Sequence, residues 1–237
     1  MTVKVKFYSK FKELEMSLPP VPASKFWPEW FKNQRPIIDG NDQQYASTVR
    51  KCPAILDILS TGYIIPLWSD FKLKRTNKNE MGYLMPPAAS ELFGGITTHA
   101  KPQIDNYPFD NDTFPGSVKF MNPWGIVTPP GYSCMVVSPY YHSHPHIRAM
   151  NGIIETDRYH EAHINTFFNA KINEEIELKR GMPLVQVIPF KREEYEMETI
   201  TGDGRSWISR IRDFVSDTQF LGDVKRYRDE LYTKRYK

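Results

Sequence analysis

Val3, Val5 and Phe7 alternate with Lys4, Lys6 and Tyr8, the period-two pattern of a half-buried strand. Leu18-Pro19-Pro20-Val21-Pro22 ends it, because proline neither donates to a ladder nor continues a helix. Ser24 then stands as an N-cap ahead of a short helix carrying Phe26, Trp27, Trp30 and Phe31. Such an aromatic cluster suits a lid packed on a barrel or sheet, with a ligand platform as the alternative. Between Ser47 and Ser60, the residues Cys52, Ile55, Leu56 and Leu59 share one helical face, and Pro53 is tolerated close to the helix start. Ile64 to Lys74 has strand character, and the turn-like Thr76-Asn77-Lys78-Asn79 separates it from a strand over Met81 to Met85. Pro86 to Pro115 is interrupted throughout by Gly, Pro, Asp and Asn and reads as turns.

From Val118 to Arg192 short strands follow one another. They are Val118–Phe120, Ile126–Val127, Ser133–Val137, Asn151–Ile154, His163–Phe168, Glu175–Leu178 and Leu184–Phe190. Pro129-Pro130-Gly131, Ser138-Pro139 and Lys179-Arg180-Gly181 separate them. Phe167 and Phe168 must face opposite sides of their strand, one to the core and one outward. After Gly204 the spacing turns helical through Trp207, Ile211, Phe214 and Val215, then Val224, Tyr227 and Leu231. The pattern predicts a mainly β (α+β) protein with a compact barrel of short strands. It is read as a single domain over 1–237: residues 1–115 pack on a β core of 116–200, and 201–237 form a helical appendage.

Composition narrows this picture. With 40% hydrophobic and 14% aromatic residues the 237-residue chain is too apolar for a disordered one. Its 19 prolines, about 8% against a usual ~5%, therefore belong to stiff connections in a folded protein. Thirty-one basic against 28 acidic residues leave a net charge of +3, which gives no bulk attraction for nucleic acid or an anionic membrane. Cys52 and Cys134 fit no metal or redox spacing and read as reduced thiols, with a single disulfide as the minor reading. No apolar stretch has the length of a membrane span, and the charged N-terminus is unlike a signal peptide. A cytoplasmic location is expected, in a host cytoplasm or a virion if the gene is a phage's.

Two resemblances add to the reading. The first rests on Thr128-Pro129-Pro130-Gly131-Tyr132, Gly152-Ile153-Ile154-Glu155-Thr156-Asp157-Arg158-Tyr159, Phe168-Asn169 and Gly181-Met182-Pro183-Leu184-Val185-Gln186. Over residues 128–190 this order resembles the β-clip fold of trimeric dUTPases and dCTP deaminases. The resemblance implies a β-clip-like barrel, a homo-oligomer with a trimer as its candidate form, and nucleotide as a candidate partner. It places Asp157 and Glu155 at the acidic positions and Gln186 at the motif glutamine. The phosphate-binding Arg-Ser-Ser turn of that family is replaced by Tyr140-Tyr141-His142-Ser143-His144-Pro145-His146, and Arg148 lacks flanking hydroxyls. Thr201-Gly202-Asp203-Gly204-Arg205-Ser206 only echoes the family's glycine-rich arm. The second resemblance, through Lys51-Cys52-Pro53, Gly62 to Trp68, Asn122-Pro123-Trp124 and Gly181 to Glu193, is to an uncharacterised phage and bacterial family of about this length. It implies a phage or bacterial origin and no activity.

Two constellations carry candidate chemistry. On a strand, His142, His144 and His146 would project from one face, a spacing that suits a divalent metal such as Zn²⁺, Fe²⁺ or Ni²⁺. His160, His163 or Glu161 would complete the shell. An exposed loop interrupted by Pro145 is the plainer alternative. Glu155 and Asp157, two apart, would share a face if extended and serve as a catalytic pair or bind metal, with a turn as the alternative. Arg148, Tyr159 and Gln186 are the candidate ligand-binding residues. No cofactor is required beyond that possible divalent metal. The expectation is a non-catalytic binding or assembly protein, a phage-encoded accessory or virion protein whose partner is itself or a phage or host protein. The alternatives are a divergent nucleotide hydrolase and a cupin-like (double-stranded β-helix) metalloenzyme using the histidine loop.

Overall fold

The computed structural model describes residues 2–38, 46–99, 101–104 and 106–199. The expected helical appendage and the Thr201–Ser206 echo lie outside the described residues.

In chain order the first elements are β1 (Lys6–Tyr8), α1 (Lys12–Ser17), β2 (Val21–Pro22), α2 (Glu29–Asn33), β3 (Ile37–Ile38), β4 (Ala46–Ser47) and α3 (Pro53–Ser60). β5 (Tyr63–Pro66), β6 (Phe71–Arg75), β7 (Met81–Leu84), α4 (Pro87–Phe93) and β8 (Ile96–His99) follow. The central strands are β9 (Ser117–Phe120), β10 (Gly125–Val127), β11 (Tyr132–Val137), β12 (Ile147–Ala149), β13 (Gly152–Ile154) and β14 (Ile164–Phe168). β15 (Glu175–Leu178) and β16 (Pro183–Lys191) end the series. The protein is mainly β, as the patterning predicts, and its described pairings are antiparallel.

Contacts divide the chain into two units. The first comprises 1–28 and 59–192, the second 29–58 and 193–237. In the first, a five-stranded sheet runs β13-β11-β16-β5-β2, a four-stranded sheet β12-β14-β9-β8, and a three-stranded sheet β15-β6-β7. β16 is central and buried from Leu184 to Val187. Pro189 falls beyond Val187, the last residue paired with β5, where the strand keeps one neighbour and proline costs little. Trp68, Phe71 and Phe120 meet edge to face at 5.6–6.3 Å in the core. In the second unit the Arg50 guanidinium donates to the Phe31 carbonyl at 2.6 Å and lies 5.1 Å from its ring centroid.

Several local expectations are corrected. The expected strand over Ile64 to Lys74 is two, β5 and β6, because buried Leu67 and Trp68 turn the chain between different sheets. The expected helix over Ser47 to Ser60 begins only at Pro53, after one 3₁₀ turn capped by Thr48. Pro86 to Pro115 contains α4 and β8 in addition to turns: Pro87 stands in the helix's first turn, and Ile96–His99 pairs with β9. The cysteines are unpaired, with Cys134 buried. Among the described residues no helix is long and apolar enough to cross a membrane.

Candidate functional site

β12 and β14 build the floor of a cleft. In their ladder Ile147 opposes Phe168, Arg148 opposes Phe167, and Ala149 opposes Thr166. Ile147, Ala149, Thr166 and Phe168 point to the core, so Arg148 and Phe167 are cross-strand partners on the outer face. The Arg148 guanidinium lies 5.2 Å from the Phe167 ring centroid. Tyr107 stacks on the same ring at 4.5 Å, and its hydroxyl accepts a hydrogen bond from Arg148 Nη2 at 3.2 Å. Phe109 packs against Tyr107 at 4.9 Å. Between these groups and the histidine turn opens a cleft of about 260 Å³, lined also by Asp110, His144 and His146.

The buried Arg75 positions the outer wall. At the end of β6 it occupies an inward position, where Phe71 and Leu73 put apolar side chains. Among the described residues no carboxylate meets it. Its N–H groups donate to the carbonyls of Asn77, Lys78, Asn111 and Ala170 at 3.1–3.4 Å. The Asp112 backbone carbonyl accepts from the Ala170 N–H at 2.9 Å, so the segment bearing Tyr107 and Asp110 is tied to the end of β14.

The histidine run does not form a strand. From Ser138 to His146 the chain turns, with Tyr141 in the left-handed region at φ 60°, so the alternation places no common face. His144 Nδ1 accepts the backbone N–H groups of His146 and Ile147, both at 3.2 Å, which puts the hydrogen of its neutral ring on Nε2. Burial, and then the neighbouring His146, push the His144 pKa down. His146 Nδ1 donates to the Asn169 carbonyl at 2.9 Å, while the Asn169 N–H donates back to the His146 carbonyl at 2.8 Å. His144 and His146 line the cleft and His142 does not. Among the described residues no group of three or more His, Cys, Asp or Glu side chains is placed to hold a metal ion. His160 is turned to the Thr156 carbonyl at 3.0 Å, and His163 lies 3.9 Å from Glu161.

The other candidate residues lie elsewhere. Glu155 to Tyr159 forms a turn, with the N–H groups of Arg158 and Tyr159 bonded to the Glu155 carbonyl, so the carboxylates do not share an extended face. Glu155 meets Arg158 at 3.2 Å. Asp157 accepts from Arg192 Nη1 at 2.9 Å, from Arg192 Nη2, and from the Gly131 N–H at 2.8 Å. The Arg192 hydrogen bonds lower its pKa to about 2, with the Gly131 N–H adding to the effect. Gln186 is buried, donates to the Thr61 carbonyl at 2.7 Å and accepts from the Tyr140 N–H at 3.1 Å. Tyr159 is exposed. Of the sequence candidates, the cleft therefore gathers Arg148, His144 and His146. It adds Tyr107, Phe109, Asp110 and Phe167, and Arg75 behind them. The outward half of Phe167-Phe168 and an arginine at an apolar position of an alternating strand were the legible signals for two of these.

No protein-family profile matches the chain, and no curated protein matches it in sequence. Among solved structures, that of a mutant dUTPase from phage phi11 of S. aureus is similar at 12% identity and a TM-score of 0.33, covering 85% of this chain and 98% of that one. A likeness that loose fixes neither a family nor a site.

Proposed function

We propose that this is a non-catalytic binding protein whose binding site is the cleft between the Tyr107–Asp110 segment and the outer face of β12 and β14. One observation carries the reading: an arginine and an aromatic wall fit for recognition converge there, and the carboxylate pair offered as the catalytic one, Glu155 and Asp157, is engaged by arginines elsewhere. Arg148 lines a concave surface with an aromatic wall, and among the described residues it has no carboxylate partner. Asp157, held to about 2 by Arg192, is a poor base near neutral pH, where an effective one titrates near 7. Glu155 is occupied by Arg158. Gln186 and Asp157 act as struts between strands. Self-association belongs to the same reading, with a trimer as the form the sequence resemblance implies.

A thermal-shift screen of the full chain against metabolite mixtures, dUTP and dCTP tests this, run on the wild type and R148Q with nucleotide turnover followed in parallel. The expected result is a ligand-induced stabilisation that R148Q abolishes, with no nucleotide hydrolysed. Hydrolysis of dUTP or dCTP, or stabilisation indifferent to R148Q, would overturn the reading in favour of a nucleotide hydrolase or a different site.

A further inference from the structure

The cleft is lined by one cation, held against Phe167 and Tyr107, and by one anion, and they are not spent on each other. Arg148 and Asp110 both line it, yet no ion pair joins them, and among the described residues neither has an oppositely charged partner. Arg148 uses one N–H on the Tyr107 hydroxyl, which leaves four of its five donors for a ligand. Asp110 has no side-chain hydrogen bond among the described residues; only its backbone carbonyl is used, by the Thr113 N–H. Building on the binding reading above, we propose that the cleft takes a small zwitterion, an α-amino acid with its carboxylate on Arg148 and its ammonium on Asp110.

Charge, size and wall chemistry each select this class. A phosphate dianion would find a single guanidinium and the repulsion of Asp110, and a triphosphate would fare worse. A carboxylate matches the guanidinium fork one to one. The volume of about 260 Å³ is below the ~300–1,000 Å³ of drug-sized sites. A cleft of that size suits a ligand of amino-acid size. Pro108, Phe109 and Pro145 supply apolar wall for the ligand's aliphatic part. His144, whose Nδ1 is held by two backbone N–H groups, keeps its ring hydrogen on Nε2 as a further donor in the cleft lining.

Isothermal titration of the full chain with the common L-amino acids, acetate, methylammonium and inorganic phosphate tests the assignment. At least one amino acid is expected to bind saturably, with acetate and methylammonium each at least about tenfold weaker, since each makes only one of the two charge contacts. R148Q and D110N should each weaken the amino acid about tenfold or more. D110N should leave acetate no weaker, and R148K should recover part of the loss, which excludes misfolding as its cause. Acetate binding as tightly as any amino acid, an indifferent D110N, or no amino-acid binding at all would overturn the zwitterion. If phosphate or a metabolite from the thermal-shift screen binds instead and R148Q abolishes it, the zwitterion falls and the binding site stands. If no ligand's binding depends on Arg148, both fall.

Discussion

Arg192 reaches from the residue after β16 to the Tyr132 carbonyl, the Ser133 hydroxyl and the Asp157 carboxylate, so one side chain fixes the start of β11 and the 155–159 turn. Asp157 has an ordinary value of 3.8 and is held to about 2, so the folded state favours its charged form. The stabilisation is complete above about pH 4 and is lost as the pH falls towards 2. Thermal unfolding from pH 6 to 2 should show a steep decline in that window for the wild type and a shallower one for D157N. A parallel decline in both would remove the pair from the explanation. His144 has the same sign at higher pH: its folded pKa is lowered, so its contribution is full above about 6.5 and wanes on acidification. His146, at 6.0 Å between ring centroids, opposes a second cation there. Long-range ¹H–¹⁵N spectra should show His144 as the Nε2–H tautomer at neutral pH and His146 with its hydrogen on Nδ1.

At the scale of elements, β6 shows how a site is supported from behind. Its alternation puts Phe71, Leu73 and Arg75 inward, and Arg75 donates to four backbone carbonyls from that position. R75M keeps the length and removes the donors; equilibrium denaturation should find it less stable by about 2–4 kcal/mol. It should also lose ligand binding before it loses the fold. Gly62 at φ +72° lets the chain pass against the Val187 carbonyl as it enters β5. G62A should cost about 2 kcal/mol or more, from the left-handed backbone and the clash with that carbonyl. Alternation made most strands legible in the sequence, β11, β14, β15 and β16 among them. It missed β12 because three residues, Ile147-Arg148-Ala149, are too few to show a period beside the histidine turn. It missed α4 and β8 because their glycines and prolines sit at element ends, where they read as loop.

For the molecule as a whole, what the sequence could not convey is which side chains meet. Arg148, His144 and His146 were visible as residues, but their meeting with Tyr107 and Phe109 depends on a segment about forty residues away and on Arg75 tying it down. Glu155 and Asp157 were legible as a pair, and only tertiary contacts reveal that arginines occupy both. Light scattering of the full chain is expected to return a multiple of its 27.7 kDa mass, three-fold if the trimer implied by the sequence pattern holds. Amide chemical-shift mapping during titration with the amino acid that binds most tightly tests binding in the β12–β14 cleft most directly. The expected perturbations cluster at 107–113, 144–148 and 167–169 and vanish in R148Q; perturbations centred on Glu155, Asp157 and Gln186 would contradict it.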